Sequence, residues 1–532
     1  MNKLKQSYLW IVLLVIVLLS TAIGSIQLYR KIGNIENQSK VNLYSLVPSS
    51  STAILEIRNI SMLSRDIYLN MPKFLESKQR HSTFPREFFE ALFYTKNATS
   101  TLRHKINCFI IQPQSKDSLH NTLSISNNLL VSYHINKEGT NHMFYIKTNG
   151  ITEASFTHFI HEKFKIRNNP KVIHYRSKKV LIYPLSTEND YLVAYIGKNY
   201  IVFSSHFYLV REMIDAIRDR NSLSLDSSFK EIDNSKSTSN AIVYVDMKKV
   251  YVNEQTAQKR VGANSSGWAV FDLELKHNNI YLTGMVKSNG KSTLFRALHS
   301  QSKIGTFPSN QLPLSTIYFR HISISNLLEW KHYASIEWAE KEDQFVALLD
   351  RYSVHQVCDV IMKEDTTHHI LVFPMKQKVS RSNLGRYLSS YRFDRSISTL
   401  GKIQTNHLLE LFSDDDSSYN QSDWYLLIAD DKLICSRSLV SLKKYSSEIK
   451  EGLFLDSDAR YQAIINQFEV PYQILIVNDL SQTVSKDNSI VQFVPYLVER
   501  CKILSNHYNA ALQINSQDDN TYINIVLASS RN

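Results

Sequence analysis

The feature that most constrains the fold is a series of short segments that occurs twice, in the same order, along the chain. Residues 135–146 read INKEGTNHMFYI and residues 361–372 read IMKEDTTHHILV, with five identical residues at matching positions. Self-similarity of this kind is the sequence signature of a duplicated structural unit. Further pairs of similar segments follow in the same order: 191–229 with 425–459, 241–250 with 473–482, and 269–286 with 510–527.

The repeated segments alternate apolar and polar residues on either side of short polar turns, which is typical of antiparallel strands with one buried face. In the longest pair, a serine-flanked stretch precedes a helical apolar pattern. Ser204 or Ser205 and Ser436 or Ser438 are therefore predicted helix N-caps. Because the strands are adjacent in sequence, we predict α+β units rather than a doubly wound parallel sheet.

The predicted fold class is α+β, with an N-terminal transmembrane helix followed by two tandem divergent copies of an antiparallel-sheet-plus-helices unit. Copy 1 is assigned to residues 46–290 and copy 2 to residues 312–532, with a polar linker at 291–311. The sequence leaves open whether the sheets of the two copies pair, stack or stay separate.

The transmembrane helix is predicted from residues 8–29, which contain no charged residue. At a rise of 1.5 Å per residue, such a helix is about 33 Å long, enough to cross the hydrocarbon core of a bilayer. A tail at residues 1–7 precedes it and a linker at 30–45 follows it. A cleavable signal peptide is the alternative, with Ala22-Ile23-Gly24 as its small-x-small site.

The short basic tail before the apolar run predicts the orientation of the chain, since such tails usually stay in the cytoplasm. We therefore expect a single-pass protein of the inner (cell) membrane, held in the lipid bilayer through residues 8–29, with the bulk of the chain extracytoplasmic (periplasmic).

Composition excludes several classes of protein. Glycine and proline number only 13 and 11, so the chain is not a collagen-like or linker protein. Its four cysteines form no CxxC pair and no zinc-ligand spacing, although a Cys358–Cys435 disulfide stays open for an oxidising compartment. The net charge of +12 is uneven: residues 311–532 carry −5 and residues 1–310 carry +17.

Motifs that carry chemistry are absent from the sequence. There is no GxxxxGK[ST], GxGxxG, GxSxG or HExxH pattern. We therefore predict no catalytic residue and no cofactor, and expect that the protein is not an enzyme.

Two residue groups are candidates for metal binding. His158 and His161 are three residues apart on a predicted helix, so both imidazoles lie on one face, as two ligands of one ion would. Asp414, Asp415 and Asp416 form an oxygen-rich loop of the kind that calcium prefers. Solvated surface residues are the alternative for both groups.

Two other features have structural alternatives. Lys73–Lys105 mixes basic and aromatic residues, as single-stranded nucleic-acid binders do, but amphipathic helices have the same composition. Because export is expected, nucleic acid is not an expected partner. His142 and His368 occupy equivalent positions in the repeated hairpin, and we interpret them as strand or turn residues.

Several strings resemble an uncharacterised bacterial family of membrane-anchored envelope proteins. They are PSSST (48–52), YLVAYIGKNYIVFSS (191–205), LSLDSSF (223–229) and the closing hairpin at 269–286. The resemblance implies tandem α+β units and covers both copies, but LFLDSDA replaces LSLDSSF in copy 2. The family has no assigned catalytic residues, so none is transferred.

These observations predict a membrane-anchored envelope protein with a non-enzymatic binding or scaffolding role, and an envelope protein as candidate partner. Two alternatives stay open. One is an exported hydrolase with a site between the two copies. The other is a cytoplasmic-facing protein that binds anionic lipid or nucleic acid through its basic N-terminal half.

Overall fold

The computed structural model describes a defined set of residues: 41–69, 125–136, 139–148, 151–164, 168–185, 191–233, 237–247, 249, 267–276, 279–287, 293–334, 340–377, 400–403, 409, 412, 424–429, 431–479 and 508–529. The chain divides into two compact units. Unit 1 contains the described residues of 1–51, 56–61 and 97–226, and unit 2 contains those of 52–55, 62–96 and 227–532. The division passes through strand β1 (Ala53–Ile57) and helix α1 (Ile60–Leu69).

Unit 1 is an antiparallel sheet with two helices. Its strands are β2 (Ile125–Asn136), β3 (Gly139–Thr148), β4 (Lys171–Tyr175), β5 (Lys178–Pro184), β6 (Tyr191–Ile196) and β7 (Tyr200–Ser204). They pair in the order β4-β5-β6-β7-β3-β2. Its helices are α2 (Glu153–Phe164) and α3 (Phe207–Arg218).

Helix α3 forms because its apolar residues recur every three or four positions, which gives one apolar side. The residues on that side are buried: Leu209, Val210, Met213, Ile214 and Ala216. The polar residues of α3 lie on its other side, where they contact the turn between β4 and β5.

Unit 2 contains the remaining strands and helices. Its strands are β8 (Ala241–Asp246), β9 (Trp268–Lys276), β10 (Asn279–Lys287), β11 (Thr316–Ser323), β12 (Gln356–Met362), β13 (Asp365–Pro374), β14 (Leu400–Ile403), β15 (Trp424–Ala429), β16 (Lys432–Ser436), β17 (Ile474–Asp479), β18 (Tyr508–Gln517) and β19 (Asn520–Ser529). Its helices are α4 (Ser227–Asp233), α5 (Thr293–His299), α6 (Leu327–Ala334), α7 (Glu340–Tyr352), α8 (Leu439–Lys450) and α9 (Ala459–Ile465).

The strands of unit 2 pair in the order β8-β9-β10-β19-β18-β17-β11-β12-β13-β16-β15-β14, and every pairing is antiparallel. Helices α8 and α9 pack on one face of this sheet around a buried apolar cluster. The cluster includes Cys358, Val360, Ile370, Val372, Leu442, Tyr445 and Ile464. The opposite face of β13 packs against α7, where the rings of Phe345 and Phe373 meet edge to face.

The predicted fold class of two tandem copies is wrong. Strand β10, assigned to copy 1, pairs with β19, assigned to copy 2, from Ile280–Leu527 to Lys287–Asn520. Strands of both predicted copies thus belong to the one large antiparallel sheet of unit 2, and the predicted linker at 291–311 contains α5 and buried apolar side chains. The pairing satisfies the backbone N–H and C=O groups along the edges of β10 and β19. No local sequence pattern specifies which two strands pair in this way.

No described helix is both long and apolar enough to cross a membrane. The predicted transmembrane helix, signal-anchor and single-pass architecture have no counterpart among the described helices, and we do not retain them. Residues 8–29, on which those predictions were based, lie outside the described part of the chain.

The disulfide between Cys358 and Cys435 that the sequence left open is not formed, since both cysteines are free and buried. Strand β13 lies between β12 and β16, which carry the two thiols. Strands are about 4.8 Å apart, so the two Cα atoms are separated by roughly 10 Å, beyond the reach of a disulfide. Burial raises the pKa of both thiols well above the usual value.

Candidate functional site

Three ionisable side chains form a buried network across β11, β12 and β13. Arg320 lies directly opposite Asp359 in the strand register, with 3.6 Å between Nη2 and Oδ2. The imidazole Nδ1 of His369 is 2.7 Å from Oδ1 of the same carboxylate, and Arg320 donates to the carbonyl of Phe412 at 2.7 Å. None of the three is more than 9% exposed. A His–Asp pair occurs in hydrolases, but here it ties together neighbouring strands inside the sheet, so we assign it a structural role.

A second buried chain of hydrogen bonds begins at His321 on β11. Its Nδ1 is 2.8 Å from the hydroxyl of Tyr472, which in turn donates to the carbonyl of Thr306 at 3.0 Å. Because the Tyr472 proton is directed to the carbonyl of Thr306, Nδ1 of His321 donates to the Tyr472 oxygen. Burial lowers the pKa of His321 to about 4, against the opposing effect of the Gln356 side chain.

Unit 1 contains a buried contact between a serine and a histidine. The hydroxyl of Ser132 on β2 is 2.8 Å from Nε2 of His134 and 3.0 Å from the hydroxyl of Tyr145. A nucleophile and a base at this distance are typical of covalent catalysis. All three side chains, however, are at most 4% exposed, so the contact is part of the core rather than open to a substrate.

Asp365, at the turn between β12 and β13, fastens this hairpin to the first turn of α8. Its carboxylate accepts hydrogen bonds from the hydroxyls of Ser441 at 2.5 Å and Thr367 at 2.9 Å, and lies 3.0 Å from Nδ1 of His368. Burial acts to raise the pKa of Asp365, but these hydrogen bonds hold it well below its usual value. In this cluster the carboxylate lies between the serine and the imidazole. In a catalytic triad the imidazole lies between the serine and the carboxylate, so the Asp365 cluster does not have the order of a triad.

His368 lies within strand β13, in agreement with its interpretation as a strand or turn residue. Its predicted equivalence with His142 is wrong by one residue. Ser204 donates to the carbonyl of His142 at 2.7 Å, and the matching bond, from Ser436 at 2.8 Å, ends on the carbonyl of His369.

The predicted metal ligands are not brought together with further ligands in the described structure. On α2, His158 is exposed and His161 lies 3.1 Å, through Nε2, from the carbonyl of Asn168. No group of three or more His, Cys, Asp or Glu residues suited to a metal ion occurs among the described residues. Asp414, Asp415 and Asp416 lie outside them, as does Lys73–Lys105.

The candidate functional site is the hairpin of β4 and β5, residues 171–184, which we call the basic hairpin. Strand β4 pairs with β5 and with no other described strand, so it forms an edge of the described part of the unit 1 sheet. All five residues of β4 are exposed or half-buried, and Val172 is 41% exposed. Soluble proteins usually shield such an edge, because its outward backbone groups can pair with another chain.

Helix α3 supports the tip of the basic hairpin. The hydroxyl of Tyr175 donates to the carboxylate of Asp215 at 2.9 Å, and Nε of Arg176 is 3.0 Å from the same group. The guanidinium of Arg211 lies 4.7 Å from the centre of the Tyr175 ring, within cation–π range. Arg211 has no ion pair with a described residue, which leaves its donors available to an anion.

Sequence reasoning missed the basic hairpin and considered only residues 73–105 as a basic, aromatic-rich stretch. The signal was present, because no Asp or Glu occurs between Glu162 and Glu188. Seven basic residues lie in that interval: Lys163, Lys165, Arg167, Lys171, Arg176, Lys178 and Lys179. Only the strand pairing reveals that part of this interval is a sheet edge.

The turn of the basic hairpin is strained, and we expect that relieving this strain stabilises the protein. Arg176 and Ser177 have φ values of 47° and 63°, as in the type I′ turns that favour Asn-Gly. Ser177→Gly should raise the free energy of unfolding by about 0.5–1 kcal/mol, because glycine adopts this conformation without a steric cost. Denaturant unfolding measures the change. Ser177→Ala keeps the Cβ and should bring no such gain, and an equal gain in both variants would contradict this account.

Comparisons with known proteins identify no family. No protein-family model matches this chain, and no curated protein matches it. Crystal form IV of TP0453 is similar with a TM-score of 0.27 and 9% sequence identity, covering 50% of this chain and 88% of that one. Crystal form I of the same protein has a TM-score of 0.25 and 11% identity, covering 51% and 90%. At these TM-scores the similarity carries no argument about fold or function.

Proposed function

We propose that this chain is a non-enzymatic binding protein that holds an anionic partner on the basic hairpin. The observation that carries the proposal is the charge of this exposed sheet edge. Lys171 and Lys178 make no ion pair with a described residue. Arg211, which lies beside the hairpin, makes none either. Clusters of uncompensated positive charge attract anionic partners and accelerate their association.

The other polar clusters support a non-enzymatic role. The Arg320–Asp359–His369 network, the Ser132–His134 contact and the Asp365 cluster each resemble part of a catalytic group. The first joins neighbouring strands, the second is buried in the core beside Tyr145, and the third joins a strand turn to a helix. The alternative of a hydrolase therefore gains no support from the described clusters.

The resemblance to envelope proteins suggests the kind of partner, which we propose to be another component of the cell envelope. Anionic lipid and nucleic acid are alternative partners, since the same positive charge would attract them. The basic hairpin accounts for all three electrostatically, so they have to be separated by experiment.

The proposal is tested by binding of fluorescein-labelled poly-L-glutamate, and separately of phosphatidylserine vesicles, to the full chain. Lys171→Glu/Lys178→Glu should weaken binding of the probe that is recognised by about tenfold or more, because two attractions become repulsions. Binding should also weaken as salt is added.

Lys198→Glu/Lys230→Glu is the matched control, since both lysines are exposed and lie outside the basic hairpin. Binding by this control should stay within about twofold of the unmodified chain. The proposal fails if the unmodified chain binds neither probe, or if the control loses as much affinity as the hairpin variant.

A further inference from the structure

We infer that the partner is an acidic, extended polypeptide segment, bound as an additional antiparallel strand along the outer edge of β4. This inference rests on the proposed function and names its partner class. It follows from three observations: the direction of the β4 backbone groups, the distribution of charge over the two faces of the edge, and the presence of both hydrogen-bond donors and acceptors along it.

The register of the hairpin gives the direction of the backbone groups. Tyr175 pairs with Lys178 across a two-residue turn, so this pair exchanges hydrogen bonds. Because hydrogen-bonded and non-hydrogen-bonded pairs alternate, Val172 and His174 belong to the second kind. Their N–H and C=O groups point away from β5, toward the side on which no described strand lies. This edge therefore offers two donors and two acceptors in the spacing of a β-ladder.

The uncompensated positive charge lies on one face of the edge. Lys171 and Tyr175 lie on one face, together with Lys178 of β5, and Arg211 covers the Tyr175 ring there. The other face presents Val172, His174 and Lys179, of which Lys179 pairs with Glu153 at 2.7 Å. An added strand would meet the stronger field on the Tyr175 face, so acidic side chains at alternate positions fit best on that face.

The backbone groups favour a polypeptide over the other anions. A lipid headgroup or a phosphodiester supplies acceptors for the outward N–H groups but few donors for the outward C=O groups. A polypeptide strand supplies both in alternation, as in the known binding mode of β-augmentation. A second copy of this chain is disfavoured at this edge, because two basic hairpins would bring like charges opposite each other.

The experiment compares two synthetic peptides of the same length and charge. Both alternate Glu with Thr, and one of them carries N-methyl groups on the Thr amides, which removes donors and obstructs the ladder. The unmodified peptide should bind the full chain at least about tenfold more tightly. Amide exchange at Val172 and His174, measured by NMR, should slow when it binds.

A protein variant tests the same edge from the other side. Val172→Pro removes an outward N–H but no charge, and proline is tolerated at a strand edge. It should weaken binding of the unmodified peptide by about tenfold, whereas Val172→Ala, which keeps the N–H, should retain most of it. Circular dichroism of both variants establishes that they are folded. If the proline variant fails to fold, the peptide pair decides alone.

The outcomes separate this inference from the proposed function. Equal binding of the two peptides, or recognition of phosphatidylserine vesicles without recognition of the peptide, overturns strand addition but leaves an anion-binding hairpin. Failure to bind either peptide, poly-L-glutamate or vesicles overturns both. Selective binding of the unmodified peptide with slowed exchange at Val172 and His174 supports both.

Discussion

Replacing Asp359 by alanine should lower the free energy of unfolding of unit 2 by about 3–5 kcal/mol, the usual cost of breaking a buried ion pair from one side. The carboxylate is fully buried and contacts both Arg320 and His369. Its removal takes a counter-charge from Arg320, a residue that is only 9% exposed. Urea unfolding, followed by circular dichroism, measures the loss.

Asp343→Ala is the matched control, because Asp343 is exposed and its ion pair with Lys331 spans 3.9 Å. Exposed pairs of this kind contribute little, so the change should stay within about 0.5 kcal/mol. A triple replacement of Arg320, Asp359 and His369 by apolar residues of similar size should recover much of the loss. A small effect of Asp359→Ala alone would show that the network is not important for stability.

Acidification should destabilise unit 2 by roughly 3 kcal/mol between about pH 6.5 and pH 4, through His321. Burial lowers the pKa of His321 from 6.5 to about 4 in the folded protein. Between these values the unfolded chain binds the proton and the folded protein does not. Stability from this group is therefore complete above about pH 6.5 and is lost as the pH falls toward 4.

The measurement is urea unfolding at a series of pH values for the unmodified chain and for His321→Gln. Glutamine can still bond to Tyr472 but does not titrate, so the slope in this window should decrease. His174→Gln, at an exposed histidine of unit 1, is the control for the substitution itself. An unchanged slope in His321→Gln would contradict the assignment.

Local patterns predict several elements well. The hairpins predicted around residues 135–146 and 361–372 are present as β2–β3 and β12–β13. Ser438 caps α8 as predicted, accepting a hydrogen bond from the backbone N–H of Ser441 at 3.2 Å. These features depend on residues close in sequence, so periodicity and capping preferences contain the necessary information.

The predicted cap of α3 shows where local reasoning fails. The N-cap position is His206, and the hydroxyl of Ser204 instead donates to the carbonyl of His142 on a neighbouring strand. The same hydroxyl accepts from the backbone N–H of His206 at 3.1 Å, so it lies at the end of β7 and does not reach the first turn of α3. The local pattern places a serine near the start of the helix but does not fix the residue at which the helix begins.

The pairing of β10 with β19 and the role of the basic hairpin could not be predicted from the sequence, for a related reason. Alternating apolar residues indicate that a strand has a buried face, but they do not indicate which strand lies beside it. The hairpin becomes a candidate site only when β4 is seen at a sheet edge and Arg211 of α3 is seen over Tyr175. Both facts involve residues far apart along the chain.

The Arg320–Asp359–His369 network also discriminates between alternative alignments of β11, β12 and β13. Sliding β12 by a single residue would turn Asp359 to the face now occupied by Cys358 and Val360, within an apolar layer. An ionised carboxylate left there without its partners would be several kcal/mol less favourable. Sheets with a shifted register are therefore higher in free energy than the observed one, and the network selects one alignment of these three strands.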